Sequence, residues 1–248
     1  MKGWKSLYLR DVAVPSEVPP TISSLKRQQG RWCKGTIQTV KSTLVPVLRS
    51  RYFSLTQKIL AAIHLTFYTV HPLLFMILVT SVPLIVSNAA VKYYGVLWHL
   101  LNLFTFFCFL ATPLMYVEGA RYRDFSASYV GKSLLWLTFG GYGISISNTI
   151  NWFDAFLGSV GPFQRTPKYD IRTKGDRWED KKYHPPFPKS VFLELAGSMY
   201  ALFAIPYALH YVNWTALPFM VIYFAGFLWV ATSSIREYGA RRGRIVTE

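Results

Sequence analysis

Apolar residues in this sequence are gathered into long runs instead of being spread through it at regular intervals. Each run has roughly the 20 residues that a helix needs to cross the hydrocarbon core of a bilayer. The runs cover residues 58–87, 93–117, 191–211 and 214–233. The pattern predicts an all-α integral membrane protein with four transmembrane helices.

The stretch 133–157 differs from these four runs. Its apolar part is short and rich in glycine, and it passes into a polar segment that contains Ser145, Asn148 and Asn151. Irregular backbone at membrane depth must be buried in protein. We therefore expect an interfacial or re-entrant element here, followed by a cytoplasmic loop over residues 161–190.

The charge balance agrees with this topology. The sequence has 27 Lys+Arg against 12 Asp+Glu, a formal net charge of +15. A soluble protein with that balance would suggest a nucleic-acid partner, but here the basic residues lie between the apolar runs and at both ends. This is the cytoplasmic excess of positive charge that multi-pass proteins show. We expect a lipid bilayer as partner, no nucleic acid, cytoplasmic termini, and a bacterial cytoplasmic or a Golgi membrane.

Residues 22–57 read as a basic amphipathic helix. Apolar residues recur at helical spacing behind a predicted N-cap at Ser23 or Ser24. The opposite face carries basic residues: Lys26, Arg27, Arg31, Lys34 and Lys41. Such a helix suits the plane of a membrane surface; an ordinary solvated helix is the alternative. Residues 6–14 predict one short strand, which cannot be stable without partner strands.

Gln28, Arg31 and Trp32 lie at i, i+3 and i+4 spacing and so share one face of this helix. An indole plane stacks on the apolar face of a sugar, while an amide and a guanidinium bind hydroxyl or phosphate oxygens. The alternative is a tryptophan that anchors the helix at the interface, with the arginine on lipid phosphate.

The stretch KGWKSLYLRDVAVPSEVPPTISSLKRQQGRWCKGTIQT resembles the region around the Q-(Q/R)-x-R-W motif of family 2 processive glycosyltransferases of the cellulose synthase-like and mannan synthase-like type. The resemblance implies that residues 1–21 are a remnant of the GT-A domain and that residues 58–248 form the transmembrane region. Trp32 would stack the acceptor end of the growing glycan. Gln28, Gln29 and Arg31 would frame the acceptor and the nucleotide diphosphate.

A second stretch, FQRTPK at 163–168, resembles the gating loop of the same family in its F-x-R-T-P-K form. The resemblance implies that this loop closes over a nucleotide-sugar and brings Thr166 and Lys168 near the diphosphate, with Phe163 and Arg165 in the same loop. A basic loop on anionic lipid headgroups is the alternative.

The family's catalytic base and its D-x-D carboxylates, which hold Mg or Mn on the diphosphate, belong to the GT-A domain. No D-x-D occurs in this sequence, and both motifs are expected upstream of it. We therefore expect no catalytic or metal-binding residue here, and a fragment of a cell-wall polysaccharide glycosyltransferase that is inactive alone. Its partners would be a nucleotide-sugar, a glycan chain and a GT-A domain, which could be a separate polypeptide.

Two other functions fit the same features. A non-catalytic membrane scaffold of a split synthase would have this sequence pattern. A small transporter or channel whose basic loops only set its topology is another alternative, but internal repeats are usual there and none is found. His64 and His71, a heptad apart in the first run, are expected to face the same way, either in an interhelical hydrogen bond or on the wall of a glycan channel.

Overall fold

The computed structural model describes residues 6–9, 12–87, 89–121, 123–158, 168–171, 173, 175–181, 186–211 and 213–245. These residues fold into α-helices joined by short segments, with 3₁₀ turns at Phe67–Thr69 and Trp178–Asp180. The helices are α1 Ile22–Arg49, α2 Leu55–Thr66, α3 Val70–Ser87, α4 Ala89–Tyr94, α5 Val96–Arg121, α6 Ala127–Gly143, α7 Ser145–Leu157, α8 Ser190–His210 and α9 Ala216–Ile245.

Four helical stretches of the described chain are long and apolar enough to cross a membrane. They are Leu55–Ser87, Val96–Arg121, Ser190–His210 and Ala216–Ala240. Each contains or closely overlaps one of the four predicted runs, so the prediction of a four-span, all-α protein is confirmed by helix length and composition. Residues 133–157 form most of α6 and all of α7, and neither helix is among the candidate spans.

The predicted strand over residues 6–14 is wrong for the part of it that the structure describes. Residues 6–9 and 12–14 have no regular secondary structure. A strand exists only where its N–H and C=O groups pair with a neighbouring strand, and no strand occurs among the described residues. The segment has residue types that favour strands, but no described neighbouring strand pairs with it.

One compact unit of the chain comprises Met1–Pro72, Ser147–Pro188 and Ser234–Glu248. In this unit α1 packs on α2, on the 3₁₀ turn and on the part of α7 that belongs to it. The apolar centre is small, with Cys33, Ile37, Tyr68 and Ala155 buried and Trp152 packed against them. Several polar side chains are buried around it, which is unusual for a core of this size.

The other compact unit comprises Leu73–Ile146 and Lys189–Ser233. Its core is Leu78, Ile146, Ala201, Ala204, Met220, Tyr223 and Phe227. The small alanines allow α8 to approach its neighbours closely. Gly143 of α6 and Gly226 of α9 bring two helix backbones together: a Cβ on Gly226 would lie 2.6 Å from the carbonyl oxygen of Phe139. Glycine is required at this crossing because no side chain fits.

Candidate functional site

The helix that carries the Q-Q-G-R-W stretch begins at a polar cap. The N-cap is Thr21, whose side chain accepts a hydrogen bond from the backbone N–H of Ser24, so the prediction of a cap at Ser23 or Ser24 is wrong by two to three residues. The Glu237 carboxylate completes the cap. It accepts from the N–H of Ile22 at 2.6 Å, from the N–H of Ser23 at 2.9 Å and from the Ser23 hydroxyl at 2.6 Å.

A carboxylate at this position satisfies N–H groups that have no partner within the helix, and it interacts favourably with the helix dipole. Ser23 is not the cap but donates hydrogen bonds to the Glu237 carboxylate. The first turn needs more hydrogen-bond acceptors than one local side chain can supply. The start of α1 is thereby fixed to α9 within the same unit.

Gln28, Arg31 and Trp32 are on one continuous helix at the spacing predicted for a shared face. Gln28 and Arg31 are partly buried, and Trp32 is 48% exposed. Among the described residues the Trp32 indole makes no hydrogen bond and no ring contact. An indole that is half covered by its own helix and otherwise open can be contacted by a flat apolar ligand surface.

Gln29 and Gly30, on the same helix, are engaged within the protein. The Tyr68 hydroxyl donates to Oε1 of Gln29 at 3.0 Å. Gly30 is buried, and a Cβ there would lie 2.7 Å from Nδ2 of Asn151. The glycine of the motif therefore permits close packing of α1 on α7, and Gln29 helps to orient the helix. A direct role for Gln29 in acceptor binding stays a prediction.

The basic face predicted for α1 is less exposed than expected. Lys26 is buried, and its Nζ donates to Oγ of Ser234 at 3.0 Å. Lys34 forms an ion pair with Asp154 of α7. Lys26 therefore does not belong to the exposed basic face predicted for α1, because it lies against α9, where the Ser234 hydroxyl accepts a hydrogen bond from its ammonium group.

Cys33 is fully buried where α1 meets α7, and its thiol donates to the carbonyl oxygen of Asn148 at 3.6 Å. Burial raises the pKa of the Cys33 thiol to about 12, and the nearby Lys34 ammonium only partly offsets this. The thiol is neutral throughout the physiological range, so it has the properties of a structural cysteine and not of a nucleophile.

We expect Cys33 to resist iodoacetamide in the native protein at pH 8, because only the thiolate reacts and its population is negligible four pH units below the pKa. The reaction should become fast once the chain is unfolded. Mass spectrometry of a Cys108→Ser variant measures it at a single site. Rapid native labelling would show that the α1–α7 contact opens.

The two histidines do not share an environment. A 3₁₀ turn at Phe67–Thr69 lies between them, and their facing the same way stays a prediction. His64 is exposed. His71 is buried, and its Nε2 is 2.9 Å from Nδ2 of Asn148. The interhelical hydrogen bond is thus confirmed for His71 alone.

The chain immediately after the FQRTPK stretch is anchored to the region around the start of α1. Phe163, Arg165 and Thr166 lie outside the described residues. Lys168 is exposed, and its Nζ is 3.5 Å from the backbone oxygen of Glu17. The Glu17 carboxylate accepts from the backbone N–H of Tyr169 at 2.7 Å.

The Tyr169 side chain is fully buried, and its hydroxyl is 2.8 Å from the Ser24 hydroxyl. Asp170, which follows it, has φ of +50°, a left-handed conformation that aspartate tolerates better than most residues. The segment after the stretch therefore contacts the start of the helix that carries Trp32, and a role as gating loop stays a prediction.

Three residues of this arrangement were missed at the level of sequence: Glu17, Tyr169 and Glu237. Each acts through a partner more than 100 positions away, and a hydrogen bond of that range leaves no periodic or local signal. Among the described residues no group of three His, Cys, Asp or Glu side chains could hold a metal ion. The divalent metal expected with a GT-A domain stays a prediction.

No family model matches this chain, and no solved structure matches it. Curated plant enzymes do. Glucomannan 4-beta-mannosyltransferase 1 of Oryza sativa subsp. japonica is 37% identical over 59 residues, which are 24% of this chain and 11% of that enzyme. Glucomannan 4-beta-mannosyltransferase 7 of Arabidopsis thaliana is 36% identical over 58 residues, which are 23% of this chain and 10% of that enzyme.

The matched part spans about a tenth of the length of these relatives. The similarity is to glucomannan 4-beta-mannosyltransferases, and it supports a cellulose synthase-like relationship.

Proposed function

We propose that this chain is the membrane part of a glycosyltransferase that adds sugar from a nucleotide-sugar to a growing β-linked polysaccharide and helps to move that polymer across the membrane. The open Trp32 indole on a helix that also carries Gln28 and Arg31 is the observation that carries the proposal. The candidate spans supply the membrane anchorage, and the similarity to glucomannan 4-beta-mannosyltransferases supports a β-linked hexose polymer as product.

Each residue has a distinct part in this proposal. Trp32 stacks the terminal sugar of the acceptor and so fixes the plane of the ring whose hydroxyl attacks the donor. Gln28 and Arg31 bind acceptor hydroxyls or diphosphate oxygens, the arginine through its planar set of donors. Phe163, Arg165, Thr166 and Lys168 belong to a loop that covers the donor.

The chain's carboxylates do not take part in the chemistry of this proposal. The base that removes the proton of the attacking hydroxyl, the carboxylates that bind the metal and the donor pocket itself are assigned to a GT-A domain, so the chain without such a domain is expected to transfer no sugar. A scaffold subunit of a split synthase would present the same acceptor surface, and it differs only in where that domain is encoded. In either case both termini would lie on the cytoplasmic side, since the connecting segments are basic.

The proposal is tested by binding of an acceptor oligosaccharide to the purified chain in a neutral detergent. We expect a β-1,4-linked mannohexaose to bind and Trp32→Ala to weaken that binding about tenfold, since a stacking plane is lost. Isothermal titration calorimetry or saturation-transfer NMR measures the affinity.

Trp214→Ala is the matched control, because Trp214 is 66% exposed and lies outside the α1 surface. Maltohexaose, which has α-linkages, controls for non-specific sugar binding. Equal losses for Trp32→Ala and Trp214→Ala, or equal affinity for the two oligosaccharides, would refute the assignment of Trp32 as acceptor platform.

A further inference from the structure

The end of α1 and the start of α2 carry positive charge that no carboxylate of the described residues neutralises. The sequence has no Asp or Glu between Glu17 and Glu118. Nearer the start of α1, Lys34 is paired with Asp154, and Lys41 donates to the carbonyl oxygen of Phe156 at 3.0 Å. Towards the end of α1 no described residue pairs with the basic side chains.

Three cations beyond that point form what we call the basic corner: Arg49, Arg51 and Lys58. Among the described residues their side chains make no hydrogen bond, ion pair or ring contact. Arg49 and Arg51 are exposed, and Lys58 is partly exposed. Arg49 ends α1, and Lys58 lies in the first turns of α2, so a short connection brings all of them to one end of this helix pair.

Apolar side chains are exposed beside the basic corner. Val45 is 51% exposed and Leu48 is 44% exposed. They lie four and one positions before Arg49, so helical spacing places Val45 on the same face as that cation. Tyr52 and Leu55 are even more exposed, and Leu55 begins the first candidate span. Cations and exposed apolar groups together at the start of a span match the boundary between lipid headgroups and acyl chains.

We propose that the basic corner binds the headgroups of anionic phospholipids in the leaflet where the first candidate span begins. The arginines and the lysine donate to lipid phosphate oxygens, while Val45, Leu48 and Tyr52 lie against the upper acyl chains. The bilayer is the occupant because the surface is continuous with a membrane-spanning helix. This inference does not depend on the proposed sugar transfer and makes no use of Trp32.

The test is lipid retention by the full chain purified in neutral detergent and incubated with an equimolar mixture of phosphatidylglycerol and phosphatidylcholine that have the same acyl chains. Mass spectrometry counts each lipid that stays bound. We expect a preference for phosphatidylglycerol that falls about fivefold for each basic residue removed. The test variant is Arg49→Gln, Arg51→Gln and Lys58→Gln.

The matched control removes three exposed cations of the other unit: Lys92, Arg123 and Lys132. It has the same net charge as the test variant and should keep most of the preference. Equal retention of the two lipids by the unmodified chain, or equal losses in the test and control variants, would overturn the proposal. So would displacement of phosphatidylglycerol by inorganic pyrophosphate at matched concentration, which would indicate a site for free phosphate.

A second measurement does not depend on stability of the triple variant. A fluorophore is attached at Tyr52→Cys in a Cys108→Ser background, where the remaining Cys33 is buried. Reconstituted vesicles contain acyl-brominated phosphatidylglycerol in one sample and acyl-brominated phosphatidylcholine in the other. We expect stronger quenching by the phosphatidylglycerol form, and equal quenching by the two lipids would contradict specific binding.

Discussion

Gly226→Ala is expected to lower the free energy of unfolding by roughly 3 kcal/mol, the upper part of the range for overpacked cores. The new Cβ would lie 2.6 Å from the carbonyl oxygen of Phe139 and 3.2 Å from the backbone nitrogen of Gly143. Both neighbours are backbone atoms of α6, so no side chain can rotate away to make room. Helices α6 and α9 must therefore move apart. The core around Tyr223 and Phe227 would then lose packing contacts.

Unfolding of the detergent-solubilised protein, followed by tryptophan fluorescence during heating, measures this effect. Gly141→Ala is the control on α6, the other helix of this contact, because a Cβ at Gly141 meets nothing within 4 Å. In a helix interior this change should be neutral or slightly stabilising, since alanine has the higher helix propensity. Similar unfolding temperatures for Gly226→Ala and Gly141→Ala would show that α6 and α9 do not approach each other as closely as described.

Glu237→Ala is expected to cost about 2–4 kcal/mol, because hydrogen bonds to a charged acceptor are strong and their loss leaves partly buried N–H groups without partners. The carboxylate accepts from Ile22 and from both donors of Ser23. The stability of Glu237→Gln should lie between that of the unmodified protein and that of Glu237→Ala. An amide oxygen keeps a hydrogen-bond acceptor but loses the interaction of the charge with the helix dipole. Hydrogen exchange of the peptide around residues 21–27 should increase in the same order.

Glu118→Gln provides the comparison for a surface carboxylate. Glu118 pairs with Arg121 at 2.9 Å, but both side chains are largely exposed, so the change should alter stability by less than about 1 kcal/mol. The assignment of Glu237 as the cap of α1 fails if Glu237→Ala leaves exchange in the first turn of α1 unchanged while the rest of the protein keeps its stability.

The sequence predicts the helices well, and the reason is that their signals are local. A run of apolar residues as long as Val96–Arg121 has no alternative to a membrane-crossing helix in an apolar solvent. The shared face of Gln28, Arg31 and Trp32 follows from helical periodicity in the same way. Residues 6–14 have the residue types of a strand but form none where the structure describes them. A strand needs hydrogen bonds to a neighbouring strand, which a local sequence pattern does not specify.

What the sequence could not predict depends on contacts between distant segments. Lys26 looks like any other solvated cation until Ser234 is placed beside it. Glu17 and Tyr169 have no motif, yet they fix the segment that follows the FQRTPK stretch to the helix of the other motif. The sequence predicts the same environment for His64 and His71, and the difference in their burial has no local sequence signal.

The capping of α1 by Glu237 has a consequence for the order of events during translation. Residue 22 leaves the ribosome 215 residues before its partner does, so the first turn of α1 is complete only after the last span has been inserted. Until then its N–H groups must be satisfied by water or by lipid headgroups at the membrane surface. The capped start of the helix that carries Trp32 therefore forms only after residue 237 has been synthesised.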